Sequence, residues 1–153
     1  SGAPRLVGTP ETPHPAVARV IVAEGRAYSF GSATLVYAQE DYALVVTNWH
    51  VVRDVEGSVI VAFPNGFRST AQILKVDPVW DLAALKISSP QIQPVPLATS
   101  IPRPGDTLMI AGYGAGQYQS ATGRCTQYVS PASNEPYERP SFGGLASSPS
   151  RAL

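Results

Sequence analysis

The sequence has few charged residues and almost no cysteine. Charged side chains make up 14% of its 153 residues, and eleven basic residues balance eleven acidic ones to a formal net charge of zero. That balance excludes the basic surface on which a nucleic-acid-binding protein depends. The single cysteine, Cys125, excludes an internal disulfide framework and a cysteine-built metal site. No apolar run approaches the roughly 20 residues of a membrane-spanning helix, so no membrane span is predicted.

Helical periodicity is also missing, whereas glycine and proline are frequent. The chain has 13 glycines and 15 prolines, with β-branched residues in short runs between them, which is typical of an all-β protein. Six strands are predicted first, at Ala16–Ala23, Tyr28–Ala38, Tyr42–Thr47, Ser58–Phe63, Phe67–Val76 and Leu82–Ile87. Six strands are enough for a small closed antiparallel barrel without exposed edges.

Composition divides the chain into five predicted segments. They are an extended N-terminal arm in residues 1–15, the barrel in 16–88, a proline-rich linker in 89–104, a partial second barrel in 105–130 and a disordered tail in 131–153. The second barrel is only begun, because two strands, Thr107–Tyr113 and Thr122–Val129, precede the tail. Since the sequence starts at Ser1 without an initiator Met, we expect it to be processed or cut from a longer chain.

Two side chains suited to acid–base chemistry lie at strand ends. His50 follows the apolar strand Tyr42–Thr47 directly, on a loop or a single helical turn, and Asp81 stands just before Leu82–Ile87. A histidine base needs a carboxylate on its second ring nitrogen, which fixes the tautomer and stabilises the imidazolium. The alternative for these two residues alone is a surface histidine and an unrelated turn aspartate.

The residues around this pair form three blocks. They are Gly31-Ser32-Ala33-Thr34-Leu35-Val36, Leu44-Val45-Val46-Thr47-Asn48-Trp49-His50-Val51-Val52 and Asp81-Leu82-Ala83-Ala84-Leu85. In order and spacing they resemble successive motifs of the trypsin-like (chymotrypsin-fold) serine proteases, above all the bacterial high-temperature-requirement type. Ala33 stands where that family usually has glycine. The resemblance covers about Val17–Val129.

This resemblance implies a two-barrel fold in which the six predicted strands form the first barrel. It also implies a serine-type endopeptidase that hydrolyses peptide bonds through a Ser-His-Asp triad. His50 would be the general base and general acid, and Asp81 its orienting partner. The implied partner is a polypeptide substrate, with no cofactor and no metal, in an extracytoplasmic location (periplasm, cell envelope or secreted).

The serine of the triad is not identified in this chain. The family's nucleophile lies in a G-D/N-S-G-G turn whose backbone N–H groups form the oxyanion hole. The sequence has one Gly-Gly pair, Gly143-Gly144. The family's serine directly precedes such a pair, but Phe142 stands there and Ser141 lies one position earlier. Cys125 has no glycine after it and is predicted to be a small packing residue. The chain is therefore expected to be truncated before the catalytic serine and inactive as given.

Two functions stay open at this point. One is the endopeptidase domain just described, and the other is a non-catalytic, protease-like β module that binds extended peptides by edge pairing. The unfinished barrel is expected to leave unpaired strand edges and an apolar face from Leu108, Ile110 and Val129, so that copies of the chain self-associate. The resemblance further predicts that the His50 and Asp81 side chains lie within about 4 Å at one barrel rim.

Overall fold

The computed structural model describes residues 6–7, 12–129 and 139–143 of the chain. Within this part the elements are β1 (Leu6–Val7), β2 (Val17–Glu24), β3 (Ala27–Ala38), β4 (Ala43–Thr47), α1 (Trp49–Val52), β5 (Val59–Ala62), β6 (Arg68–Asp77), β7 (Leu82–Ile87), β8 (Thr107–Gly112), β9 (Gln119–Val129) and β10 (Arg139–Gly143). In the same residues no helix is long and apolar enough to cross a membrane.

Strands β2 to β7 close into an antiparallel barrel in the order β2-β3-β4-β7-β6-β5. The alternation of side chains along each strand builds its interior, because every second residue points inward. In β4, for example, Ala43, Val45 and Thr47 are buried while the two residues between them are half-buried. The predicted all-β class and six-stranded barrel are confirmed, and these strand bounds differ from the predicted ones by no more than one residue.

A second sheet is organised around β9. Strand β8 pairs along one part of it, and β1 and β10 pair with it at Ser120–Ala121 and Arg124–Val129. Strand β9 begins at Gln119, three residues earlier than predicted, because its first residues pair with the end of β8. The polar Ser120, which is 3% exposed, hides this extension from a hydrophobicity pattern.

The predicted disordered tail differs from the structure at five residues. Arg139–Gly143 form β10 and pair with β9, because a long strand offers unpaired backbone groups that a Ser- and Pro-rich segment can satisfy as well as an apolar one. Residues 131–138 and 144–153, the rest of that prediction, lie outside the described residues. Of the described strands, β8 pairs with β9 alone, as β1 and β10 do, so the second edge of β8 is one of the unpaired edges expected in this sheet.

The proline-rich segment between the two sheets lies against the barrel. Residues 88–106 contain neither helix nor strand. The backbone N–H of Val95 nevertheless donates to the carbonyl of Leu35 at 2.9 Å, and the side chains of Ile92 and Val95 pack against the barrel core. A register shift in β3 between Leu35 and Tyr37 accompanies this contact. The segment is therefore attached to the surface beside β3.

Strand β7, which follows Asp81, contributes side chains to the barrel core. Leu85 of β7 is fully buried, so Leu85→Ala should lower the free energy of unfolding by about 2–5 kcal/mol through lost burial and the cavity left behind. Leu82→Ala on the same strand is the matched control, since Leu82 is 37% exposed and should change it by less than about 1 kcal/mol. Urea unfolding monitored by tryptophan fluorescence measures both, and equal losses would contradict the assigned core.

Candidate active site

Antiparallel pairing of β4 and β7 brings the two sequence-predicted residues together. Thr47, the last residue of β4, is paired with Ala83 near the start of β7. The chain leaving β4 and the chain entering β7 therefore run side by side. Asn48 caps the single-turn helix α1 in an extended backbone conformation, which places His50 in its first turn. This agrees with the predicted loop or single helical turn.

The His50 and Asp81 side chains are in direct contact. The imidazole Nδ1 lies 2.5 Å from Asp81 Oδ2, and the His50 backbone N–H donates to Asp81 Oδ1 at 2.7 Å. The predicted contact is thus present. A carboxylate on Nδ1 requires the ring proton on that nitrogen, which leaves Nε2 as the proton-accepting nitrogen of the neutral ring. Both side chains are about one-third exposed, at 33% and 35%, so the pair is open to solvent.

Asp81 also holds the residues before His50 through its backbone. Its φ of +56° lies in the left-handed region, which aspartate tolerates better than most residues. In that conformation its carbonyl oxygen accepts hydrogen bonds from the Trp49 backbone N–H at 3.1 Å and from Asn48 Nδ2 at 3.0 Å. One aspartate therefore accepts four hydrogen bonds from three consecutive residues. The part played by Asn48 was not predicted from the sequence.

The turn before Asp81 is stabilised by the carboxylate of Asp77. Asp77 Oδ1 accepts the backbone N–H groups of Val79 at 3.1 Å and of Trp80 at 3.2 Å. Asp and Asn side chains commonly stabilise turns in this way. The path of the chain from β6 into Asp81 is consequently fixed before β7 begins.

Strand β3 also contacts the residues around His50, which are residues 47–52 and are called the His50 segment below. The hydroxyl of Thr47, fully buried, donates to the carbonyl of Ser32 at 2.7 Å. A Cβ added to Gly31 would lie 2.7 and 2.8 Å from the two Val51 methyl carbons, so α1 packs directly on the backbone there. Sequence reasoning missed the Thr47–Ser32 bond. Its signal is the position of Thr47, because strand alternation places this polar side chain inside the barrel, where it needs a partner.

The other sequence candidates do not join this cluster of contacts. Cys125 is 1% exposed within β9, and its backbone bonds to Gly105 and Asp106. A packing role was predicted for it and stays a prediction. Ser141 lies in β10 at a register shift between Pro140 and Phe142, and its side chain is outside the described part. Among the described residues no group of three or more histidine, cysteine or acidic side chains could hold a metal ion.

A partly exposed histidine–carboxylate contact at the rim of a six-stranded antiparallel barrel is typical of one class of protein, the chymotrypsin-fold peptidases. In agreement, a family model of the trypsin-like peptidase domain matches residues 31–148. That match covers more than half of the chain, so the chain belongs to the trypsin-like peptidase domain family. The predicted resemblance is thereby confirmed.

Solved structures of HtrA-type proteases are similar to this chain. A serine endoprotease from Yersinia pestis shares 30% sequence identity with a TM-score of 0.61, and covers 74% of this chain. The HtrA-type protease AlgW, solved with a tripeptide, shares 27% identity with a TM-score of 0.63, and covers 82%. This chain spans 41% of the length of each of those two chains. No curated protein matches it.

The close contact between Gly31 and α1 makes a prediction. Gly31→Ala must displace Val51, beside His50, and should lower the free energy of unfolding by about 1–3 kcal/mol because the barrel interior cannot expand freely. Gly57→Ala is the matched control, since its added Cβ meets only Ala23 Cβ at 3.7 Å and should cost less than about 1 kcal/mol. Thermal unfolding compares the two, and equal stability would argue against the packing of α1 on β3.

Proposed function

We propose that this chain is the part of a serine-type endopeptidase that contains the general base, and that the endopeptidase hydrolyses peptide bonds. The observation that supports it is the paired contact of His50 with Asp81, through both the imidazole and the backbone N–H. His50 is proposed as general base and general acid, and Asp81 as its orienting partner. Membership of the trypsin-like peptidase family supports the same assignment.

The proposed chemistry follows from the free Nε2 of His50. As a serine hydroxyl oxygen attacks the peptide carbonyl, Nε2 takes the hydroxyl proton and the Asp81 carboxylate stabilises the resulting imidazolium. Collapse of the tetrahedral intermediate breaks the C–N bond, and His50 returns that proton to the leaving amine. Water then attacks the acyl-enzyme with the same base, releasing the acid and restoring the serine. No step uses a cofactor.

The serine that this scheme needs is not assigned to any residue of the chain. A nucleophile must lie within hydrogen-bond reach of His50 Nε2 and beside backbone N–H donors for the oxyanion. Neither Ser141 nor Cys125 has the glycine pattern of such a turn. We therefore propose that the chain needs a serine-bearing segment of the trypsin-like fold in order to act.

Polypeptides are the proposed substrate, and an extracytoplasmic compartment the proposed location. The similarity to a serine endoprotease and to AlgW, which was solved with a tripeptide, supports peptide recognition. The proposed location is supported by the resemblance to the high-temperature-requirement type of protease, which implies an extracytoplasmic compartment. A non-catalytic peptide-binding module is the competing function, and the next experiment separates the two.

A chimera tests the roles of His50 and Asp81. Residues after Val129 are replaced by the corresponding second half of AlgW, and hydrolysis of a fluorogenic peptide is measured. We expect activity in the chimera, and a fall in kcat of about 10⁴-fold in Asp81→Asn, because the imidazole loses the partner that fixes its tautomer. His50→Ala should lose at least as much.

The controls for this experiment lie in the same chain. Asp41→Asn alters an exposed aspartate away from the pair and should leave kcat within about twofold, since surface changes of this kind are nearly neutral. The 153-residue chain itself should take up no serine-directed fluorophosphonate. A chimera whose His50→Ala variant cleaves as fast as the wild type would refute the proposed base. A folded chimera that binds peptide without cleaving it would favour the binding module.

We also propose that copies of the chain self-associate through β8. In the described part of the chain β8 pairs with β9 alone, and its Met109 is 57% exposed. An exposed strand edge with an apolar side chain recruits other strands. Sedimentation velocity should show a weight-average mass that rises with concentration, and Met109→Lys should lower it, because a charge disfavours pairing. A monomer at all concentrations in the wild type would contradict this.

A further inference from the structure

Ser32 of β3 is a buried polar residue that bonds in two directions. It is 1% exposed, and its Oγ accepts the backbone N–H of Tyr113 at 2.6 Å. Its backbone carbonyl accepts the Thr47 hydroxyl at 2.7 Å. Buried polar groups are retained where both partners are satisfied, since leaving one unpaired is costly. Ser32 therefore occupies a fixed position between two segments of the chain.

One of these segments leads directly to the active-site pair. Thr47 is followed by Asn48, whose side chain bonds to the Asp81 carbonyl, and then by α1 with His50. Gly31, the neighbour of Ser32, is in contact range of Val51 in the same helix turn. Residues 31 and 32 thus contact the residues on both sides of His50, with Ser32 bonded to Thr47 and Gly31 next to Val51.

The other segment belongs to the second sheet. Tyr113 directly follows β8 and is 9% exposed. It packs with Val17 and Ala111 against the outside of the barrel, and its ring meets Tyr118 edge-on at 5.5 Å. Burial raises the pKa of the Tyr113 phenol, with Tyr118 adding to the shift, so the ring packs as a neutral group. The Tyr113 N–H is the donor that joins this packed end of β8 to Ser32.

We infer that Ser32 is a positioning residue that ties the second sheet to the His50 segment. Its side chain fixes the end of β8, and its carbonyl fixes the strand from which His50 emerges. The inference rests on the proposed function, because it concerns the placement of the proposed base. A second bond between the barrel and this sheet, from Arg19 Nη1 to the Gly116 carbonyl at 3.1 Å, has no such continuation toward His50.

Nuclear magnetic resonance of the ¹⁵N-labelled chain tests this. Amide exchange of Tyr113 and His50 is measured relative to the amides of β5, which report global opening. Ser32→Ala should speed Tyr113 exchange by about tenfold through loss of its acceptor, and His50 exchange by roughly threefold. Thr47→Val keeps the Ser32 hydroxyl and breaks only the second bond, so it should speed exchange at His50 and leave Tyr113 unchanged.

Two further variants separate this inference from the proposed function. Arg19→Met breaks the other bond between the barrel and the sheet, and should leave His50 exchange unchanged. If Arg19→Met speeds His50 exchange as much as Ser32→Ala does, or if Ser32→Ala moves Tyr113 alone, the positioning role is wrong. Asp81→Asn should abolish the downfield His50 Nδ1 proton resonance. An unchanged resonance in that variant would overturn the His50–Asp81 assignment independently of Ser32.

Discussion

Antiparallel pairing of β4 with β7 is the constraint on which the site depends. Because Thr47 lies opposite Ala83, the residues just beyond each strand end are neighbours although more than thirty positions separate them. In the closed barrel β7 lies between β4 and β6. A one-residue shift in the register of β4 or β7 would therefore turn the inward side chains of that strand to the opposite face. A base on the outgoing chain and its carboxylate on the incoming chain then meet without a long loop.

The backbone of Asp81 is held in a conformation that is unfavourable in isolation. A left-handed residue other than glycine costs about 1–2 kcal/mol, whereas each of its four accepted hydrogen bonds contributes about 1 kcal/mol or less after solvent exposure is considered. Taken together, the four bonds can outweigh this cost, which is smaller for aspartate than for most residues. Glycine would relax the backbone but would remove the carboxylate that both His50 donors need. The strain is therefore tied to the chemistry of the site.

Local patterns predict the barrel, and the family resemblance predicts the pair, but neither predicts the contacts that hold the pair. Alternating apolar residues and turn glycines predict the six barrel strands to within one residue, and His50 and Asp81 lie at the ends of two of them. The bonds of Asn48, Thr47 and Ser32 join residues far apart in sequence, so their partners depend on strand register. Strand alternation indicates that Thr47 needs a partner, but it does not identify Ser32. For the same reason the strand pairing of Arg139–Gly143 is invisible in composition. Backbone edges pair with any segment that reaches them.

The residues that preorganise the proposed base all lie within one barrel. Ser32, Thr47, Asn48 and Asp81 hold His50 through bonds that barrel folding alone can form. The proposed nucleophile has a different requirement, because it must come within hydrogen-bond reach of Nε2. The bonds of Tyr113 to Ser32 and of Thr47 to Ser32 form a path from the second sheet to the His50 segment, and by the inference above this path helps to place that sheet relative to the base. The direct contacts of the base thus lie within the first barrel, and Ser32 connects them to the second sheet.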